Sequence, residues 1–202
     1  MINISEGEVM YALGFFQQQT YDAYIVAPSG DSKGMEKIHL TRQGIANNDF
    51  AHTHKFKGLL EKNTIIDTGD LVIIGNDFDK YLVMAVRKTY HANQANLWYC
   101  DCTCDIYRIK NKYAGNQISG KQQTLIADGI ACIQKDTNGR MKTFDAGLLE
   151  STIKLVYMPT VPEVSLADRL VINGKNYQID SIDDSSVKNV LTLQLSEDKR
   201  KL

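Results

Sequence analysis

Apolar residues from Tyr21 onwards recur at alternate positions or in short unbroken runs, and these runs have the length of β-strands. Leu71 to Ile74 and Lys80 to Thr89 are two such runs, and a turn-forming segment that contains Gly75 separates them. Asn173-Gly174 lies between two further runs, and this dipeptide favours the type I′ turn of a tight hairpin. The pattern predicts a mainly β protein with antiparallel strands.

The same β pattern occurs twice in the chain. The first copy runs from Asp70 through an apolar strand and a Gly to Tyr81, and the second runs in the same way from Asp168 to Tyr177. The residues predicted to define this repeat and its core are Asp70, Leu71, Val72, Tyr81, Val83, Asp168, Leu170, Val171, Tyr177 and Ile179. The repeat predicts two small antiparallel β-barrel or sandwich-like units.

The match extends upstream, where Tyr24 to Pro28 is similar to Leu155 to Pro159. On this alignment the first copy carries an insertion of about residues 29–68, and inserted loops on a β scaffold are where binding often resides. The polar segment Asn111 to Gln123 contains two glycines and predicts the linker between the units.

These observations predict a first unit over residues 1–112 and a second over residues 113–202. Ser5 to Glu8 fits a capping box, and apolar residues at helical spacing follow it, so the first unit is expected to begin with a short helix. The residues that would form the apolar face of this helix, and could dock on a partner, are Val9, Met10, Leu13 and Phe16.

Composition restricts the function classes. The 202 residues include 43% hydrophobic residues, which is enough for a core, and 23 basic against 24 acidic residues give a formal charge of −1. Tight nucleic-acid binding by the monomer is not expected, because phosphate neutralisation requires a basic excess. The first residues lack the pattern of a signal peptide, and the apolar runs are too short to span a bilayer.

Cys100, Cys102 and Cys104 form the most conspicuous cluster of potential ligands. Zinc sites usually have two or more residues between paired cysteines. With one residue between them on a strand, the sulfurs face one side and successive Cα atoms are about 6.6 Å apart. We therefore expect ordinary buried strand positions, and Cys132 is the only cysteine that could complete a metal site.

Familiar catalytic signatures are absent from the sequence. The chain has no Gly-rich phosphate loop, no Gly-x-Ser-x-Gly elbow and no His-Glu-x-x-His motif. His52 and His54 are separated by one residue in a polar segment, without a further ligand at a familiar spacing. We expect no cofactor, no catalytic residue and no enzymatic activity.

The repeated residues resemble a known family. Ala167 to Ile179, followed by Leu191 to Asp198, resembles the small β-domains of tailed-bacteriophage virion proteins. The same is true of Thr68 to Val72, leading to Tyr81 to Val83 and then Cys100 to Cys102. One pattern recurs in head-completion and head–tail connector proteins: Gly or Ala followed by Asp, then an apolar strand, a Gly, and Tyr-x-Val.

The resemblance implies a structural protein of the virion, assembled in the host cytoplasm. Such proteins form rings beneath the portal, connect the head to the tail and, in the stopper subgroup, retain packaged DNA. The implied partners are further copies of the chain, a portal or adaptor protein and tail proteins, with passing contact to DNA and no membrane. The alternatives are another ring-forming tail component, such as a tail terminator, tail tube or baseplate protein, and a Cys-based metal-binding module.

Overall fold

The computed structural model describes residues 20–42, 55–75, 79–90, 92–144 and 147–200. The chain divides into two compact units between Tyr99 and Cys100. The strands of the first unit are β1 (Thr20–Val26), β2 (Ser32–Arg42), β3 (Lys55–Leu60), β4 (Leu71–Ile74), β5 (Asp79–Lys88) and β6 (Asn93–Tyr99).

The first unit is a closed antiparallel barrel of six strands. Strands β1, β2 and β3 form one meander, and β4, β5 and β6 form another. Pairing of β3 with β6 and of β1 with β4 closes the barrel, in the order β1-β2-β3-β6-β5-β4. Closure leaves the barrel without an unpaired edge strand.

The second unit has six strands and one short helix. Its elements are β7 (Cys102–Ala114), β8 (Gln117–Asp136), α1 (Gly139–Phe144), β9 (Lys154–Pro159), β10 (Arg169–Ile172), β11 (Lys175–Asp183) and β12 (Val190–Glu197). They form a second closed barrel, in which β9 pairs with β12 and β7 pairs with β10. Strand n of the first barrel therefore corresponds to strand n+6 of the second, and the prediction of a mainly β protein with barrel units is confirmed.

The two barrels also share an irregularity in the same place. Between β5 and β6 the register shifts after Val83, which leaves Met84 as an extra residue. Between β11 and β12 the register shifts after Ile179, which leaves Asp180 as an extra residue. Each bulge lies three residues after the tyrosine of the repeat. Because a bulge bends its strand, the repeated sequence pattern corresponds to a bend at the same place in both barrel walls.

The predicted insertion over residues 29–68 is wrong. That span contains β2 and β3, which are wall strands of the first barrel. The similarity behind that prediction joins Tyr24 to Pro28, which begins in β1, to Leu155 to Pro159 in β9, whereas the topological counterpart of β9 is β3. Short apolar strands resemble one another at period two, so a local match does not identify the equivalent strand.

The predicted linker at Asn111 to Gln123 is also wrong, because it is a hairpin between β7 and β8. The described side chains over residues 111–117 and 119–122 are exposed, so the segment has the polar composition of a loop although its backbone is paired. The two-residue turn begins with Gly115 at φ 63°, as in a type II′ turn. The units therefore meet at residues 99 and 100 rather than at residues 112 and 113.

The two Asn-Gly dipeptides of the second unit have different structures. Asn173 and Gly174 have φ values of 49° and 73°, which gives the expected tight turn between β10 and β11. Asn138 instead caps α1, because its Oδ1 accepts a hydrogen bond from the Met141 amide (2.9 Å). The predicted N-terminal helix lies outside the described residues.

Each barrel is filled by its own apolar side chains. The first core includes Ile25, Ile38 and Leu97, each fully buried. The second includes Leu193 and Leu195, which lie two positions apart on β12 and both face inwards. Burial of each such side chain contributes about 1.5–3 kcal/mol relative to exposure. No helix among the described residues is long and apolar enough to cross a membrane.

A strained residue in the second barrel gives a prediction. Gly69 and Ala167 are equivalent, because their amides donate to the carbonyls of Val83 and Ile179, and their φ values are 92° and 67°. A side chain at positive φ costs about 1–2 kcal/mol. We expect Ala167→Gly to raise the free energy of unfolding by about 0.5–1 kcal/mol, and Gly69→Ala to lower it by about 1 kcal/mol or more.

Urea unfolding followed by circular dichroism tests both substitutions. Trp98, the single tryptophan, lies in β6 and gives a separate fluorescence signal for the first barrel in Gly69→Ala. An Ala167→Gly variant that is less stable than the wild type would contradict the equivalence of the two positions.

Candidate functional site

Asp70 is the residue before β4, and its side chain is only 1% exposed. Its Oδ2 atom accepts hydrogen bonds from the Asp67 amide (2.7 Å) and from the Lys33 ammonium (2.8 Å). Its backbone amide donates to the Asp67 carbonyl (3.2 Å), and its carbonyl accepts from the Val83 amide (2.9 Å). The side chain closes the turn over residues 67–70, and the backbone attaches that turn to β5.

Asp168 makes the same connections before β10, with its side chain 4% exposed. Its Oδ2 atom accepts from the Ser165 amide (2.9 Å), and both carboxylate oxygens accept from the Arg108 guanidinium at 3.0 Å. Its backbone amide donates to the Ser165 carbonyl (3.2 Å), and its carbonyl accepts from the Ile179 amide (3.1 Å). We call each of these two arrangements, centred on Asp70 or Asp168, an aspartate clasp.

The aspartate clasps are structural rather than catalytic in their geometry. A buried carboxylate is stable only with charge-assisted hydrogen bonds, and each clasp supplies a cation and a backbone amide. The carboxylates have almost no solvent contact, so a substrate cannot reach them. The acidic residue that marks the sequence repeat therefore holds each short strand in the barrel wall.

The cations of the two clasps could not be found from the repeat. Lys33 lies on β2, whereas Arg108 lies on β7, which is the counterpart of β1. The two positions are not equivalent, so no internal alignment pairs them. The sequence therefore indicates only that each buried Asp needs a basic partner, and it does not indicate which residue that partner is.

The first clasp is less completely bonded than the second. Asp70 Oδ1 is buried and has no hydrogen-bond partner among the described residues. Burial raises the pKa of Asp70 above its ordinary value, and the hydrogen bonds from Lys33 and the Asp67 amide only partly offset it. Since a raised pKa means that the folded barrel favours the protonated acid, this group's contribution to stability falls as the pH rises from about 4.

A second ionic network fixes the end of β12. Asp198 Oδ2 accepts from Arg169 Nε (2.7 Å) and from Arg200 Nη2 (2.8 Å), and the side chains of Arg169 and Asp198 are 3% and 0% exposed. Arg200 also donates to the Ala167 carbonyl (2.6 Å), next to the second clasp. Burial alone would raise the pKa of Asp198, but the hydrogen bonds from Arg200 and Arg169 outweigh it and hold that pKa well below its usual range.

The structure places the predicted repeat residues as follows. Leu71 and Val171 are partly exposed, because side chains alternate across the barrel wall. The buried ones are Asp70, Val72, Tyr81, Val83, Asp168, Leu170, Tyr177 and Ile179. The partner-facing residues Val9, Met10, Leu13 and Phe16, and the pair His52 and His54, lie outside the described residues.

Three of the four cysteines meet inside the second barrel. Cys102 and Cys104 lie on β7, and Cys132 lies opposite Cys102 on β8. Cys104 and Cys132 belong to the buried core, and Cys102 packs against it. The Sγ atoms of Cys102 and Cys132 are 3.3 Å apart as free thiols. Cys100 is buried in the segment before β7.

This cysteine cluster has the geometry of a core rather than of a metal site. Tetrahedral zinc with bonds of about 2.3 Å would hold two sulfurs about 3.8 Å apart, farther than Cys102 and Cys132 are. The hydrogen bond with Cys132, together with burial, raises the pKa of the Cys102 thiol. Within the described residues, no group of three or more His, Cys, Asp or Glu could hold a metal ion.

A cavity of about 470 Å³ lies at one end of the first barrel. The residues that line it are Tyr21, Leu40, Thr41, Phe56, Ile74, Gly75, Asp79 and Tyr81. Phe56 and Tyr81 pack edge to face with ring centres 5.2 Å apart, and Tyr99 donates to Asp79 at 3.4 Å. Burial, with the charge of Asp79, raises the pKa of Tyr81 to about 12. Tyr81 therefore stays protonated at neutral pH.

No protein-family model, no curated protein and no solved structure matches the chain.

The network around Asp198 gives a prediction with a defined pH dependence. Asp198→Asn leaves Arg169 buried without a counter-charge, and we expect the free energy of unfolding to fall by about 3 kcal/mol at pH 7. Because the pKa of Asp198 is lowered on folding, its stabilisation is present above about pH 4 and is lost as the pH falls further. The difference in the free energy of unfolding between wild type and variant should therefore narrow as the pH falls below about 4.

Urea unfolding by circular dichroism at several pH values measures this difference. Glu197→Gln is the matched control, because Glu197 is the neighbouring acid and its side chain is 70% exposed. It should change stability by less than about 0.5 kcal/mol. A destabilisation by Asp198→Asn that is equal at every pH would contradict the proposed role of its charge.

Proposed function

We propose that this chain is a structural virion protein of a tailed phage, which forms a ring at the head–tail junction. In this role it joins the portal to the tail and helps to retain or conduct DNA. The proposal rests on the repeated Gly- or Ala-Asp pattern that resembles connector proteins, and on the use that the chain makes of its buried charges.

The observation that carries the proposal is that the buried carboxylates serve the barrels themselves. Asp70, Asp168 and Asp198 each bond to backbone amides and to a cation of their own unit. A catalytic site needs titratable groups that a substrate can reach, whereas these carboxylates are buried and fix strands. Such a distribution suits a protein whose task is to bear load.

The two-barrel organisation suits a ring subunit. A closed barrel exposes no strand edge, so contacts with neighbours are left to side chains, loops and strand extensions. A subunit that closes a ring by rotation needs two different surfaces, one for each neighbour, and two barrels of one design can supply them. The formal charge of −1 also suits a conduit that must not hold DNA tightly.

Particles assembled without the chain test the proposal. We expect heads that package DNA but lose it, together with free tails that have not joined. Electron microscopy counts the two products, and the nuclease-protected DNA in heads measures retention. Supplying the wild-type chain in trans is the control and should restore tailed, filled particles. Filled and tailed particles made in its absence would contradict the proposal.

A further inference from the structure

The hairpin between β7 and β8 extends beyond the wall of the second barrel. Strand β10 pairs with β7 over Cys104–Tyr107, and β9 pairs with β8 over Ile133–Asp136. Among the described residues, the strand segments within 110–122 pair only with each other. Side chains on both faces of this ribbon are exposed. We call residues 110–122 the arm.

The arm concentrates positive charge in a chain that is almost neutral. Residues 106–127 contain four basic residues and no Asp or Glu, so the remaining residues carry a formal charge of −5. One of the four, Arg108, is engaged by Asp168. The lysines at 110, 112 and 121 are exposed, and none of them forms an ion pair within the described part of the chain.

The register distributes these three lysines over both faces of the ribbon. Lys110 and Lys112 share one face and are about 6.8 Å apart along the strand. The residue opposite Lys112 is Gly120, which leaves the space beside that lysine open. Lys121 lies on the other face, opposite Asn111. A ligand that surrounds the ribbon, or a groove that admits it, can therefore meet a cation on either side.

We propose that the arm contacts the phosphate backbone of duplex DNA. A two-stranded ribbon fits the major groove, and lysines act as point charges for phosphates without reading sequence. A protein partner is less suited, because interface centres are apolar and aromatic, whereas Tyr113 and Ile118 are the only large apolar residues of the arm. This inference rests on the proposed function, since packaged DNA is the polyanion that a subunit at the head–tail junction would meet.

The expected affinity of one copy is low and depends on salt. Three neutralised phosphates give a slope of about −2.7 for the logarithm of the association constant against the logarithm of salt concentration. A ring would present many arms to one duplex, and their contributions multiply through effective concentration. Weak individual contacts are also compatible with DNA that has to pass.

The test is the binding of the full chain to a fluorescein-labelled duplex of random sequence, followed by anisotropy at about 20 mM salt and above. The arm variant is K110Q/K112Q/K121Q. The matched control is K37Q/K57Q/K62Q, which removes three exposed lysines from the first barrel and changes the net charge equally. Circular dichroism verifies that both variants are folded.

We expect the arm variant to lose at least about 10-fold in affinity and most of the salt dependence, and the control to lose less than about 3-fold. Equal losses in both variants would overturn the inference, because net charge alone would then explain the binding. Wild-type protein that does not bind DNA, or an arm variant that binds as the wild type does, would also overturn it. An arm variant that binds DNA normally but no longer joins its portal or tail partner would assign the arm to an acidic protein surface.

This result is independent of the particle experiment. Suppose that the arm variant loses DNA binding and that normal particles form in the absence of the chain. These results would support DNA contact by the arm and contradict the role at the head–tail junction. Normal DNA binding by the arm variant, with leaking heads in the absence of the chain, would overturn only the inference about the arm.

Discussion

Each barrel is closed by a strand of four residues, and that strand is held by the buried aspartate that precedes it. The carboxylate fixes the turn before the strand. The backbone carbonyl of the same aspartate accepts a hydrogen bond from the next strand, at the residue directly before the bulge. Desolvation of the carboxylate is unfavourable, so each clasp needs its cation from another strand. The turn before each short strand is therefore fixed by one buried aspartate together with a cation from another strand.

Features that depend on periodicity and turn chemistry could be predicted from the sequence. The repeat, the β class and the Asn173-Gly174 turn follow from local patterns that the fold uses directly. The partners of the clasps, Lys33 and Arg108, could not be predicted because they come from non-equivalent strands. The arm was mistaken for a linker because a ribbon exposed on both faces has no apolar alternation to identify it.

The chain separates its buried ions from part of its exposed positive charge. Buried ions and apolar side chains stabilise the two walls, and three exposed lysines lie on the arm, which extends beyond the wall of the second barrel. A stable scaffold with a projecting basic ribbon suits a subunit that is held by neighbours and touches a passing polyanion. Three cysteines pack in the core of the second barrel, and the cavity of the first barrel is lined in part by Tyr21 and Tyr81.

Cryo-electron microscopy of the particle that carries this chain would locate the subunit. We expect a ring of two-barrel subunits between portal and tail, with the arms directed towards the DNA. A ring elsewhere in the tail would contradict the placement at the head–tail junction. Absence of the chain from every part of the particle would contradict the structural role altogether.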